Sequence, residues 1–177
     1  MNHWIIRTIS FVAILLLVVA CEERDDTHVI QGELTEAQEL INILSAEAVE
    51  IAQNSFQVPL DYSTNSIRLV EEVLARLHVE YQNSGSTEGI TGLASAFGAY
   101  IGECIRRQYS GSTWSRDHPV GGEKSYPLSW GGGDSFPMAW CHRRIVNGPE
   151  DNVWHKFTVL AQQRADDDAT KPPPSLE

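Results

Sequence analysis

Positive charge is scarce in this chain: 13 Lys and Arg stand against 24 Asp and Glu in 177 residues, a formal net charge of −11. A general nucleic-acid binder needs a basic footprint to displace counterions, so no nucleic-acid partner is expected. Paired metal ligands are lacking too. His28, His78, His118, His142 and His155 are scattered, without the close Cys/His pairs of a zinc site, and the Asp117-His118 pair alone is weak. No metal and no cofactor is therefore expected. Long apolar runs are missing except near the start. Ile9 to Ala20, broken only by Ser10, is about a dozen residues, where a spanning helix needs roughly 20. There is no G-x-S-x-G nucleophile elbow. Gly131-Gly132-Gly133-Asp134 lacks the Gly-Lys-Ser/Thr of a phosphate loop and reads as a hairpin loop. What is present is ample apolar content, 42%, which argues against disorder along the whole length. The length suits one domain.

The N-terminus reads as a secretory signal over residues 1–20. Arg7 supplies its positive end, and the apolar run closes on Val18-Val19-Ala20-Cys21 before Glu22-Glu23-Arg24-Asp25-Asp26. Small residues followed at once by cysteine resemble the lipobox of bacterial lipoproteins. That resemblance implies cleavage before Cys21 and its acylation. Several acyl chains would anchor the protein stably, whereas one binds only marginally. Glu22 is not the aspartate that such proteins use for inner-membrane retention, so the expectation is a lipid-anchored envelope protein on the outer membrane, facing the periplasm. An uncleaved anchor helix with a chance cysteine is the other reading. The mature piece would have 157 residues with 12 basic and 24 acidic side chains, a balance of −12.

Acidity is also uneven. Residues 1–88 hold 14 acidic and 4 basic side chains, whereas residues 89–177 hold 10 and 9. If the first two helices cover a different side of the fold from Arg106, Arg107, Arg116, Lys124, Arg143 and Arg144, the domain is electrically polarised. Such a field steers encounter with a charged partner more than it sets the fold.

Hydrophobic spacing predicts an α+β fold: three N-terminal helices, a small antiparallel β-meander and a C-terminal helix. Residues 21–33 read as a tether, 34–162 as a single domain and 163–177 as a disordered tail. Thr35 and Gln38 have the form of a capping box, opening a helix over about 35–55 with Leu40, Ile41, Leu44, Ala48, Ile51 and Ala52 on one face. A second helix carries Ile67, Val70, Val73, Leu74, Leu77 and Tyr81, and ends near Asn83-Ser84-Gly85. A third spans about 88–109, with Leu93, Phe97, Ile101, Cys104 and Ile105 inward. Short strands are expected at 113–115 and 125–130. From Ser135 to Asn147, Phe136, Met138 and Trp140 alternate with Pro137, Ala139 and Cys141, which predicts a strand. Pro149 with Glu150 and Asp151 opens the last helix.

With Cys21 assigned to lipid, Cys104 and Cys141 remain as an even pair in an oxidising compartment. A bridge would close a 38-residue loop and contribute on the order of 3–4 kcal/mol. The spacing equally allows two separate buried thiols.

Gly98 and Gly102 lie on one face of the third helix. Each costs about 1 kcal/mol relative to alanine, which close approach by another chain segment would offset. Glu103 is expected to pair with Arg106 or Arg107 one turn on; an acid–base role is the alternative. Trp114, Trp130, Trp140 and Trp154 fall within 41 residues. Most are expected to fill the core, while Trp114 and Trp130 are the candidates for a sugar-stacking or partner-binding face. Cys141 and His142 are neighbours but would point to opposite faces of a strand, so they make no catalytic pair.

Gly98-Ala99-Tyr100-Ile101-Gly102-Glu103, Trp114, Tyr126-Pro127-Leu128 and Asn147-Gly148-Pro149-Glu150-Asp151 together resemble a widespread bacterial family of small α+β proteins without an established activity. The resemblance spans about 62–161. It implies a structural role for these motifs, no catalytic residues, and for some members a place in toxin–immunity systems. Cys104 stands where the family pattern has an aliphatic residue, which fits a disulfide particular to this chain.

The expected function is non-enzymatic: binding of a protein partner, immunity-like in its most specific form, through the acidic helical half or through Trp114, Trp130, Arg106, Arg107, Arg143, Arg144 and Glu103. The alternatives are a glycan or peptidoglycan binder using exposed tryptophans, and a hydrolase using Glu103 or Cys141.

Overall fold

A computed structural model describes residues 26–170, and side chains over 36–166. The signal 1–20, the lipobox Cys21 and the segment 171–177 lie outside the described residues. Five helices and one three-stranded sheet give the expected α+β class: α1 (Asp26–Phe56), α2 (Ser66–Ser84), α3 (Ile90–Gln108), β1 (Thr113–Trp114), β2 (Leu128–Trp130), β3 (Gly133–Ser135), α4 (Pro137–Val146) and α5 (Val153–Thr170), with a 3-10 turn at Pro149–Asp151. None of the described helices is long and apolar enough to cross a membrane.

The molecule is built around α3. Every residue from Ala96 to Ile105 is buried, so this helix is enclosed on all sides rather than amphipathic. Its small residues let neighbours approach closely. A Cβ on Gly98 would strike the backbone of α4, at 2.5 Å from the nitrogen of Met138 and 2.8 Å from the carbonyl carbon of Pro137. A Cβ on Gly102 would run into the indole ring of Trp114. The two glycines thus trade helix propensity for contact with α4 and β1.

α1 lies along α3, and α2 packs mainly on α4 and α5. Ala37, Ile41, Ser45, Ala48 and Ala52 form the buried stripe of α1 at spacings of three and four. α1 begins at Asp26 rather than at Thr35, so the expected capping box lies inside a helix and most of the expected tether is helical. No proline interrupts residues 26–33, so nothing in the sequence there breaks the helix. Its far end closes at Gln57 (φ 57°), where the Val58 N–H donates to the Ala52 carbonyl at 3.0 Å ahead of Pro59. α2 stops as expected at Gly85 (φ 65°).

The sheet has the order β1-β2-β3, all antiparallel, with Trp114 opposite Leu128 and Ser129 opposite Asp134. Gly131 and Gly132, both at positive φ, make the two-residue turn between β2 and β3. The expected strand over 135–147 is instead α4. Its apparent alternation ran between residues that are nearly all apolar and therefore marked no face. The buried set Pro137, Trp140, Cys141, Arg144 and Ile145 has helical spacing. The helix α5 likewise overruns the expected boundary at 162 and continues to Thr170. Three aspartates do not break a helix, and Gln162 donates to Asp166 one turn on at 2.9 Å.

Candidate functional site

Glu103 sits fully buried where α1, α3 and β1 meet. Its Oε1 accepts from Arg106 Nε at 2.8 Å, Trp114 Nε1 at 3.0 Å and Gln38 Nε2 at 3.2 Å; its Oε2 accepts from Arg106 Nη2 at 2.9 Å. Arg107 Nε lies 3.7 Å away. Burial pushes the carboxyl pKa up, but the combined hydrogen bonds and the Arg106 charge overcome this and hold it below the ordinary value. The expected pairing with an arginine one turn on is present, closest with Arg106, but the carboxylate is buried where an exposed pair was expected. Glu103 is a tie between three elements, with no exposure through which a substrate would reach it.

A second buried carboxylate ties the other side. Glu71 accepts from Arg144 Nε at 2.6 Å and from the Val153 N–H, which opens α5, at 2.9 Å. Arg144 Nη1 is buried without a hydrogen-bond partner among the described residues. Arg144 is therefore an internal strut and not the surface binding residue expected from the sequence. Of the other arginines, Arg106 serves Glu103, Arg107 lies 3.6 Å over the Tyr62 ring, and Arg143 pairs with Asp151 at 3.6 Å.

Cys104 and Cys141 are both free and buried, which corrects the expected disulfide. Cys104 faces the Ser66 hydroxyl at 3.8 Å, within a network that includes the Tyr100 hydroxyl. Burial raises its thiol pKa to about 12, and burial also pushes Cys141 upward. Neither is poised as a thiolate nucleophile. On α4, Cys141 points inward while its neighbour His142 is exposed.

Trp114 and Trp130 are also inside. Trp114 donates to Glu103. Trp130 donates to Ser135 Oγ at 2.9 Å and packs beside Tyr109 and Phe157. Neither offers a ring face to a sugar, so both are removed from the candidate binding surface. The residues on which the hydrolase reading depended, Glu103 and Cys141, are sealed in the same way.

His118 has a different role, in the loop before β2. Its Nδ1 accepts the N–H groups of Val120 (3.1 Å) and Gly121 (2.9 Å), so the neutral ring carries its proton on Nε2, which faces Asp134 Oδ2 at 3.1 Å. Ser129 Oγ donates to the other oxygen of Asp134 at 2.5 Å. The hydroxyl thus meets the carboxylate and not the imidazole, which is the wrong order for activating a serine. Among the described residues no group of three or more His, Cys, Asp and Glu is placed to hold a metal ion.

Two exposed features remain. On α1, Glu36, Glu39, Ile43, Glu47 and Glu50 follow one another at spacings of three and four, all exposed, with Ile43 66% exposed. None of these four acids forms an ion pair among the described residues. The second is an open groove of about 430 Å³ between α3, α4 and the loop before β2, with Phe136, Met138 and Ala139 among its apolar lining and Lys124, His142 and Arg143 as its ionisable side chains. The sequence did not reveal this groove. Its signal was the helical period of 137–145, which places Met138, His142 and Arg143 together.

Comparison with protein families, with curated proteins and with solved structures finds no match to this chain.

Proposed function

We propose that this chain is a lipid-anchored protein of the bacterial envelope, held through Cys21 at the outer membrane, whose folded domain binds a protein partner and performs no catalysis. The observation that carries the reading is the acidic face of α1, where one exposed apolar side chain, Ile43, stands in line with two exposed carboxylates on either side along the helix. An apolar contact flanked by charge suits a complementary partner: the apolar residue supplies buried area, and the charges supply steering and register. The partner fitting this face is a basic protein, which is the immunity-like form of the reading. The lipobox supports the anchor. The burial of Glu103, Cys104 and Cys141 supports a structural role for the residues best suited to chemistry.

Two measurements test it. Metabolic labelling with palmitate is expected to tag the wild-type protein and not Cys21→Ala. Affinity capture from detergent-solubilised envelopes at low salt is expected to recover a basic protein in stoichiometric amount. An unlabelled wild type refutes the anchor, and recovery of no stoichiometric partner refutes the binding role.

A further inference from the structure

The groove between α3, α4 and the loop before β2 stands apart from the acidic face of α1. From its geometry we infer that it is a binding site for a small amphiphilic carboxylate, a free fatty acid of short to medium chain.

Charge complementarity carries the argument. In a protein with 24 acids and 13 bases, the groove lining contains no acid at all, while Lys124, His142 and Arg143 are all exposed on it. Lys124 has no ion-pair partner among the described residues, and Arg143 has only a long contact to Asp151. The same groove is lined by the apolar residues Ala94, Val120, Phe136, Met138 and Ala139. The volume falls within the range of small-ligand sites. A ligand with an apolar chain and one anionic head matches both parts.

The wall of the groove is built in advance. Val120 is 91% exposed, and it is held there because His118 Nδ1 accepts its N–H and that of Gly121. The Asp117 carboxylate accepts the Lys124 N–H at 2.6 Å, and the Ser125 hydroxyl donates to the Gly122 carbonyl at 2.8 Å. Lys124 and Tyr126 both sit at positive φ, a conformation that non-glycine residues adopt at a cost. Gly121 lies so close to Phe136 that a Cβ there would stand 2.7 Å from the ring. A loop backbone fixed in this way holds Val120 and the root of the Lys124 side chain in place before binding, which is where preorganised sites gain affinity.

Met138 provides the test. The sequence has only two methionines, Met1 and Met138, so methyl labelling of methionine gives a reporter inside the groove. The full chain is held in lipid nanodiscs, with empty nanodiscs as the blank for partitioning. It is titrated separately with octanoate, octanol and octyltrimethylammonium. Octanoate is expected to shift the Met138 methyl signal saturably and about tenfold more tightly than either other probe. General electrostatics in so acidic a protein would favour the cation, so that order reports the local field of the groove. The double variant Lys124→Glu, Arg143→Glu is expected to lose the octanoate preference while keeping the wild-type far-ultraviolet circular dichroism. An unmoved signal with octanoate overturns the inference, as do equal shifts with all three probes. The wild-type comparison decides the matter even where the variant fails to fold.

Discussion

Replacing Glu103 with glutamine removes one charge from the junction of α1, α3 and β1 with almost no change in shape. The wild-type carboxylate accepts four hydrogen bonds, two of them from one guanidinium. An amide keeps one acceptor oxygen and turns an NH2 group toward donors. Breaking a fully buried pair costs about 3–5 kcal/mol. Arg106 is about one-third exposed and recovers water on losing its partner, so the expected cost is lower, about 2–4 kcal/mol. For a domain of this size that corresponds to a fall in Tm of roughly 5–15 °C. The pH dependence has a definite sign. Because the folded carboxyl titrates below its ordinary value, its contribution is complete above the unfolded pKa of 4.5 and is lost as pH falls through the folded pKa. Urea unfolding of both proteins between pH 7 and pH 3 should therefore show the largest difference at neutral pH and a shrinking one in acid. A difference below about 1 kcal/mol at pH 7 would refute the reasoning, as would one that stays constant into acid.

Other expectations follow from the same contacts. Gly98→Ala should destabilise by about 2–4 kcal/mol in urea unfolding despite alanine's better helix propensity, because its Cβ meets α4 backbone and no movable side chain. Cys104 and Cys141 should resist iodoacetamide in the native protein and both become alkylated after unfolding, and non-reducing mass mapping should find no Cys104–Cys141 peptide. Glu71→Leu should cost about 3–5 kcal/mol, read from chemical denaturation, since it strands the buried Arg144 guanidinium and the Val153 N–H together.

Much of this fold was legible because its helices carry clear punctuation. The stripe from Ile67 to Leu77 and the stop at Gly85 follow from spacing and one glycine. Gly98 and Gly102 announced close approach, and the structure supplies Met138 and Trp114 as what approaches. Where the sequence misled, composition had erased the period. In 135–147 both sets of alternating residues are mostly apolar, so a strand pattern and a helix pattern coincide, and the helix wins through Arg144 and its distant partner Glu71. Glu103 showed its arginines one turn away but not Gln38 or Trp114, which arrive from other elements. The groove was invisible for the same reason: Val120 and Lys124 reach α4 only through hydrogen bonds made by His118 and Asp117 within a loop of no regular period.

The proposed basic partner would dock on the acidic face of α1. Glu39, Glu47 and Glu50 are exposed, so a Glu39→Lys, Glu47→Lys, Glu50→Lys variant should fold as the wild type does. Wild type and variant are used in parallel to capture partners from solubilised envelopes at low salt. The wild type is expected to retain a stoichiometric basic partner that raised salt releases, and the variant to retain at least about tenfold less. Equal recovery by a folded variant would contradict docking on this face.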